Sequence, residues 1–325
     1  MSEPLLQVLQ LSKHFPIRGG VFRRTVAEVH AVDNVSFDIY PGETLGLVGE
    51  SGCGKSTIGK TLLKLLGRFD GEIWFQGQPL HSLSSSAIKD LRKDIQIVFQ
   101  DPMESLNPRH TVGEIIEEPL IIHHQGDSAS RRQKVIQLAE RVDLSASALD
   151  RYPHEFSGGQ RQRIGIARAI ALDPRLIVCD EPVSALDVSI QSQILNLLLE
   201  LQRDLNIALL FISHDLAVVK HISHRIAVMY LGNIVEIADA GTLYQQPLHP
   251  YTRSLIDAIP KPYPGFAKER ELLPGEPPSP INPPAACRFH PRCPMAQDKC
   301  REVAPKVEKI SENHQVACHF WRENL

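Results

Sequence analysis

No stretch of the 325 residues approaches 18 uninterrupted apolar positions; the best runs, 176–179 and 207–212, are short. A membrane-crossing helix is therefore not expected. Residues 1–10 lack a basic segment followed by an apolar one, so no signal peptide is expected, and the expected compartment is the cytosol. An excess of one charge is missing too: 35 basic and 38 acidic side chains leave a formal net charge of −3. That balance gives no electrostatic footprint for DNA or RNA, and no nucleic-acid partner is expected. Internal repeats are absent, and the only compositional bias is proline late in the chain. Cysteine is scarce. Cys53 and Cys179 stand far apart, while Cys287, Cys293, Cys300 and Cys318 cluster near the end. In a reducing compartment, four clustered cysteines suggest a metal more than two disulfides.

What is present is 42% hydrophobic residues, enough for one large core and a smaller appendage. Alternation and short apolar runs predict strands at 6–11, 35–39, Thr44–Val48, 71–75, 95–99, 176–179 and 207–212. Helical spacing predicts helices at 58–66, 158–171 and 189–205, and a helical region with charged faces from about 101 to 144. The polar stretch 18–24 reads as an exposed turn. Strands and helices alternate, so the expected fold class is α/β, with a largely parallel sheet covered by helices. Composition shifts after residue 259. Prolines crowd 260–294 and oppose helix or central strand, which predicts an extended linker to a cysteine-bearing tail.

The strand at Thr44–Val48 runs into Gly49-Glu50-Ser51-Gly52-Cys53-Gly54-Lys55-Ser56-Thr57, and a helix follows. This is the P-loop spacing in its proper strand–loop–helix context. Gly49 and Gly54 lack side chains, so backbone N–H groups can approach phosphate oxygens. The helix behind turns its positive end to the anion. Lys55 would reach the β- and γ-phosphates and Ser56 would offer its hydroxyl to Mg²⁺. Further on, the apolar run 176–179 ends in Asp180 and Glu181. Asp180 would hold Mg²⁺ through water, and Glu181 would orient and polarise the attacking water. Phosphoryl transfer asks mainly for positioning and charge stabilisation, so one placed carboxylate suffices. Between these motifs lies Phe156-Ser157-Gly158-Gly159-Gln160-Arg-Gln-Arg. A serine with two glycines opening a helix makes a second anion-seeking helix start; the plainer reading is a serine N-cap.

That string resembles the signature of ABC-type ATPases, with Phe156 where leucine is usual. Other family elements follow in order over residues 5–235. Phe15 is similar to the aromatic that stacks on adenine. Gln100 matches the Q-loop, Ser184-Ala185-Leu186-Asp187 the D-loop, and His214 the switch histidine. The resemblance implies a P-loop NTPase domain over 1–258, with a mostly parallel sheet, a small antiparallel part and a helical subdomain at about 101–172. It implies a head-to-tail dimer, each ATP lying between one chain's P-loop and the other's Ser157–Gln160 segment. It adds Gln100 to Ser56 and Asp180 around Mg²⁺, and Gln100 and His214 to Glu181 as catalytic groups. More specific strings point to one branch. Asn107-Pro-Arg, Arg151-Tyr-Pro-His154, His249-Pro-Tyr-Thr-Arg253 and Pro277-Pro-Ser-Pro-Ile-Asn-Pro-Pro284 resemble the ATP-binding subunits of oligopeptide and dipeptide importers, and the string opening at Phe156 resembles that of their F type.

That branch implies the following: a C-terminal region over 259–325; a D-type ATPase as heterodimer partner; two membrane permeases meeting residues 101–120; an indirect peptide-binding protein; a peripheral place on the cytoplasmic face of the membrane. Other importer cargo, such as nickel or murein peptides, and a soluble non-transport ABC ATPase are the alternatives. The four tail cysteines are separated by five, six and seventeen residues. Structural zinc sites favour pairs with two to four residues between ligands. The resemblance implies a [4Fe–4S] cluster on Cys287, Cys293, Cys300 and Cys318; zinc and disulfides or free thiols remain alternatives.

Overall fold

The computed structural model describes residues 3–20, 22, 24–259 and 273–324. In chain order its elements are β1 (Leu6–Gly19), β2 (Arg24–Ile39), β3 (Thr44–Val48), α1 (Lys55–Leu62), β4 (Asp70–Phe75), β5 (Gln78–Pro79), α2 (Ser85–Asp94) and β6 (Ile95–Val98). Then come α3 (Pro102–Ser105), α4 (Val112–Ile122), α5 (Ser128–Arg141), α6 (Gly158–Ile170), β7 (Leu176–Asp180), α7 (Val188–Leu205) and β8 (Ala208–Ser213). The chain closes with α8 (Leu216–Ile222), β9 (Arg225–Tyr230), β10 (Asn233–Asp239), α9 (Ala240–Gln245), α10 (Pro250–Asp257), α11 (Asp298–Glu302), β11 (Glu308–Lys309) and β12 (Gln315–Val316).

These elements form two units, one of residues 40–43 and 82–212, the other of the described residues of 3–39, 44–81 and 213–325. In the first, β6, β7 and β8 run parallel, with Ile95 opposite Leu176 and Leu176 opposite Ala208. Both β7 and β8 are buried along their whole length, which is why their sequences are continuous apolar runs rather than alternating ones. The helices are defined by their ends. Thr111 and Glu114 close a capping box on α4, and Asn206 ends α7 in the left-handed conformation. Ile194, Leu197, Leu198 and Leu201 give α7 one buried face.

In the second unit β3 pairs with β9 in parallel, and β9, β10, β12 and β11 continue antiparallel. A separate antiparallel sheet has the order β2-β1-β4-β5. The turn expected over 18–24 is shorter than that, because Arg18 still pairs with Thr25 and Gly19 with Arg24. The start of β2 is exposed, so it shows no inward alternation to read. Helix α1 likewise begins at Lys55 rather than 58, directly after Gly54. Of the proline-rich stretch, 260–272 lies outside the described residues, and 273–289 carries no helix or strand. The tail is docked by hydrogen bonds and strand pairing. Buried Glu236 accepts the N–H groups of Leu248 and His249 (2.8 and 2.9 Å) and pairs with His314 Nε2 (2.8 Å), while β12 lies along β10.

Candidate functional site

The loop after β3 is shaped by its own backbone. Gly49 has φ 154° and Gly54 φ 108°. A Cβ on Gly49 would stand 2.1 Å from the Met229 carbonyl oxygen, and one on Gly54 1.9 Å from that of Ala31. No side chain fits at either position. Gly52 also has positive φ, 78°, but faces open space. Lys55, the first residue of α1, is buried, and its ammonium donates to the carbonyls of Gly49 (2.7 Å) and Glu50 (3.0 Å). Cys53 is buried beneath the loop, and burial pushes its thiol pKa up.

Two residues for which the sequence reading had no role hold this loop. The Glu50 N–H donates to the Tyr251 hydroxyl (3.0 Å), and buried Arg292 donates from Nη1 to both Glu50 carboxylate oxygens (3.1 and 2.9 Å). A charge-assisted bond of this kind fixes its carboxylate more firmly than a neutral one. Tyr251 lies in the His249-Pro-Tyr string and Arg292 beside Cys293; only the string itself could have pointed to the first, and nothing local to the second. Phe15 and His214 belong to the same unit. Phe15 sits in β1 opposite Val29, with the Lys13 ammonium 5.0 Å from its ring centre. His214 is exposed just after β8, next to Asp215, whose carboxylate caps α8.

The first unit carries the remaining groups. Asp180 ends β7 and is buried. Glu181 follows in the left-handed region, φ 47°, its N–H donating to the Ile212 carbonyl (3.0 Å) and its own carbonyl accepting the Ser184 N–H and hydroxyl. That fixed turn re-aims the carboxylate, and Gln100 Nε2 donates to Glu181 Oε2 at 3.4 Å. Strand β6 delivers Gln100 and β7 delivers Glu181, so the parallel pairing of those strands brings the two together.

Ser157 caps α6: its hydroxyl accepts the Gln160 N–H (3.4 Å), and Gln160 Oε1 accepts the Ser157 N–H (3.1 Å). The capping box thus stands behind both polar residues of this motif. The glycines answer to packing. A Cβ on Gly159 would lie 2.5 Å from Ile190 Cγ2, and one on Gly158 3.2 Å from Leu186 Cδ2. Leu186 belongs to the 184–187 segment, so the start of α6 is seated on that segment and on the first turn of α7.

The four tail cysteines line one apolar pocket with Phe289, Met295 and Phe320. All four are free, and burial pushes the Cys287 thiol up to about 11 and the Cys318 thiol up to about 12.

Comparison with known proteins places this arrangement. The ABC transporter family profile matches residues 32–184, and that of the oligopeptide/dipeptide transporter C-terminal region matches 235–300. The oligopeptide transport ATP-binding protein AppF of Bacillus subtilis is 52% identical over 98% of both chains. The chain belongs to the ABC transporter ATP-binding proteins. Within them it sides with the oligopeptide branch: OppF of Escherichia coli, an oligopeptide transport ATP-binding protein, is 50% identical over 97% of this chain and 95% of its own. Among solved structures, the dimeric post-hydrolysis ATP-binding cassette MJ0796, bound to ADP and phosphate, superposes with a TM-score of 0.64 at 27% identity. It covers 72% of this chain and 98% of its own. As a member of this family the chain is an ATPase with the α/β cassette fold. Among the described residues, no helix is long and apolar enough to cross a membrane.

Proposed function

We propose that the chain powers peptide import by binding and hydrolysing MgATP at an interface shared with a second ATPase subunit. One observation carries this reading: a single chain holds two glycine-bearing helix starts, one a complete P-loop and the other capped by Ser157, with Ser157, Gly158 and Gln160 exposed. A self-contained nucleotide site needs only the first. In this reading backbone N–H groups of the loop over 51–57 and the positive end of α1 receive the phosphates, and the Lys55 ammonium turns from its loop acceptors to the β- and γ-phosphoryl oxygens. Phe15 stacks on the adenine. Ser56, Gln100 and Asp180 would hold Mg²⁺, which when bound would supply charge stabilisation for phosphoryl transfer. Glu181, steadied by Gln100, polarises the attacking water, and His214 lies close to the γ-phosphate. Ser157, Gly158, Gly159 and Gln160 close over the partner's nucleotide, with Ser184–Asp187 beside them. ATP favours the closed pair, and its loss shifts the population back.

The partner in this reading is a D-type ATPase, and the pair sits at the cytoplasmic face of the membrane beneath two permeases supplied by a peptide-binding protein. The surface offered to a permease is the region 101–120, where Met103 and, at its end, Ile121 and Ile122 are about half exposed apolar side chains. The near end-to-end likeness to oligopeptide transport ATP-binding proteins supports peptides as cargo. The tail cysteines would hold an iron–sulfur cluster. One zinc ion with sulfur bonds of about 2.3 Å draws its ligands to roughly 3.8 Å of one another. No three of these sulfurs lie within 4.8 Å of one another, which suits a wider group in the same apolar pocket. Such a cluster supplies a staple for the tail when bound, and Cys293 adjoins Arg292, which grips Glu50.

Glu181→Gln tests the reading. The variant is expected to bind ATP as the wild type does, with turnover reduced by at least about 100-fold, the scale of losing one group that acts on the transition state. Nucleotide retention and phosphate release report the two halves, and normal turnover in this variant would remove Glu181 from its role.

A further inference from the structure

Where β1 and β2 pair, just before Phe15 and around the Ala31 whose carbonyl backs Gly54, stands a cluster of ligating side chains that the proposed function does not use. His14 is directly opposite His30, and the rings lie 4.2 Å apart between centres. The register slips by one between Lys13 and His14, which places Ala31 as an extra residue in β2 and turns Asp33 toward the histidine pair. His14 Nε2 is 3.8 Å from Asp33 Oδ1, and His30 Nδ1 is 3.6 Å from Asp33 Oδ2. Both imidazole nitrogens are buried and have no hydrogen-bond partner among the described residues. Among those residues this is the one place where three ligand atoms of His, Cys, Asp or Glu fall within 4.8 Å of one another.

We propose that His14, His30 and Asp33 form a binding site for a divalent transition-metal cation of the zinc type. Two neutral imidazoles and one carboxylate are the donor set such ions prefer over Mg²⁺ or Ca²⁺. Bonds of about 2.1 Å at a tetrahedral centre separate ligand atoms by roughly 3.4 Å; the two His–Asp distances lie a few tenths of an ångström above that, and one ligand atom from each of the three residues falls within 4.8 Å of the other two. An outer layer is in place as well. Glu28 lies 3.8 Å from His14 Nδ1, the nitrogen turned away from Asp33, so a carboxylate stands on the side of the ring that does not ligate. Arg288 donates to Asp33 Oδ2 and to the Leu231 carbonyl, holding the carboxylate from behind. The backbone is pinned too: the His30 N–H donates to the Pro280 carbonyl (2.9 Å) and the Asp33 N–H to Gly232 (2.9 Å). Asp33 and Glu28 offset the Arg288 charge that would otherwise oppose a cation. The three side chains are about a quarter to a third exposed, so solvent reaches the edge of the cluster. A bound ion would clamp the two strands immediately before Phe15 and brace them against the segment carrying Arg288.

Cobalt(II) titration of the untagged, metal-free full chain tests this, because cobalt held by thiolates shows a charge-transfer absorption that cobalt held by nitrogen and oxygen lacks. Iron and acid-labile sulfide measured on anaerobically purified protein account separately for the tail. The expected result is one equivalent of cobalt without the thiolate band, displaced by zinc. It should bind at least tenfold more weakly in His14→Gln and in His30→Gln, while any thiolate-bound metal is unchanged. A wild-type chain that takes up cobalt only with the thiolate band, or not at all, overturns the proposal without reference to any variant. So do variants that bind the band-free equivalent as tightly as the wild type.

Discussion

The two glycine pairs that mark the nucleotide motifs obey different physics. In the P-loop, Gly49 and Gly54 have positive φ and sit 2.1 and 1.9 Å, by their absent Cβ positions, from backbone carbonyl oxygens. In the second motif, Gly158 and Gly159 are ordinary helical residues crowded by side-chain tips, Leu186 and Ile190. Backbone cannot step aside without unravelling a strand; a side chain can change rotamer or be shortened. The P-loop is therefore a fixed shape, whereas the start of α6 is a fitted contact, adjustable through its neighbours. In the proposed function, a site that grips phosphate needs the former, and a surface that would meet and leave a partner can use the latter.

That contrast can be broken by substitution. Gly54→Ala carries the largest expected effect, on the order of 3 kcal/mol or more in the loop's native shape, read as a fall in ATP affinity of at least about 100-fold. No second change in a side chain should restore it. Gly159→Ala should cost about 1–2 kcal/mol by thermal or urea unfolding, overpacking against Ile190 being partly offset by alanine's better helix propensity. Pairing it with Ile190→Val should recover much of that loss. Gly158→Ala, which meets only the tip of Leu186, should fall within about 0.5 kcal/mol of the wild type. Equal losses at 54 and 159, both refractory to a compensating change, would erase the distinction.

How much was readable in advance follows from how local each feature is. The P-loop, the Asp180–Glu181 strand end and the Ser157 cap are written in a few consecutive residues, and the parallel strands announce themselves as apolar runs. The length of the β1–β2 ribbon was not legible, because the outer part of β2 is exposed and leaves no alternation. The grip of Arg292 on Glu50 joins residues 242 apart and has no local signature. The metal-ligand cluster is similar: His14 and His30 become partners only through a register slip that composition and periodicity do not encode. Contacts of that kind emerge from sheet pairing and tail docking, which depend on the whole fold.

The sharing of nucleotide between subunits is the claim on which the functional account turns, and Ser157→Asp tests it most directly. Aspartate is as good an N-cap as serine, so α6 keeps its start, but a carboxylate would now face the partner's γ-phosphate. The account predicts that the separate chain binds ATP with wild-type affinity through its own P-loop, while ATP turnover in the assembled transporter falls by at least about 100-fold. Undiminished turnover in the assembly, or loss of ATP affinity in the separate chain, would contradict it.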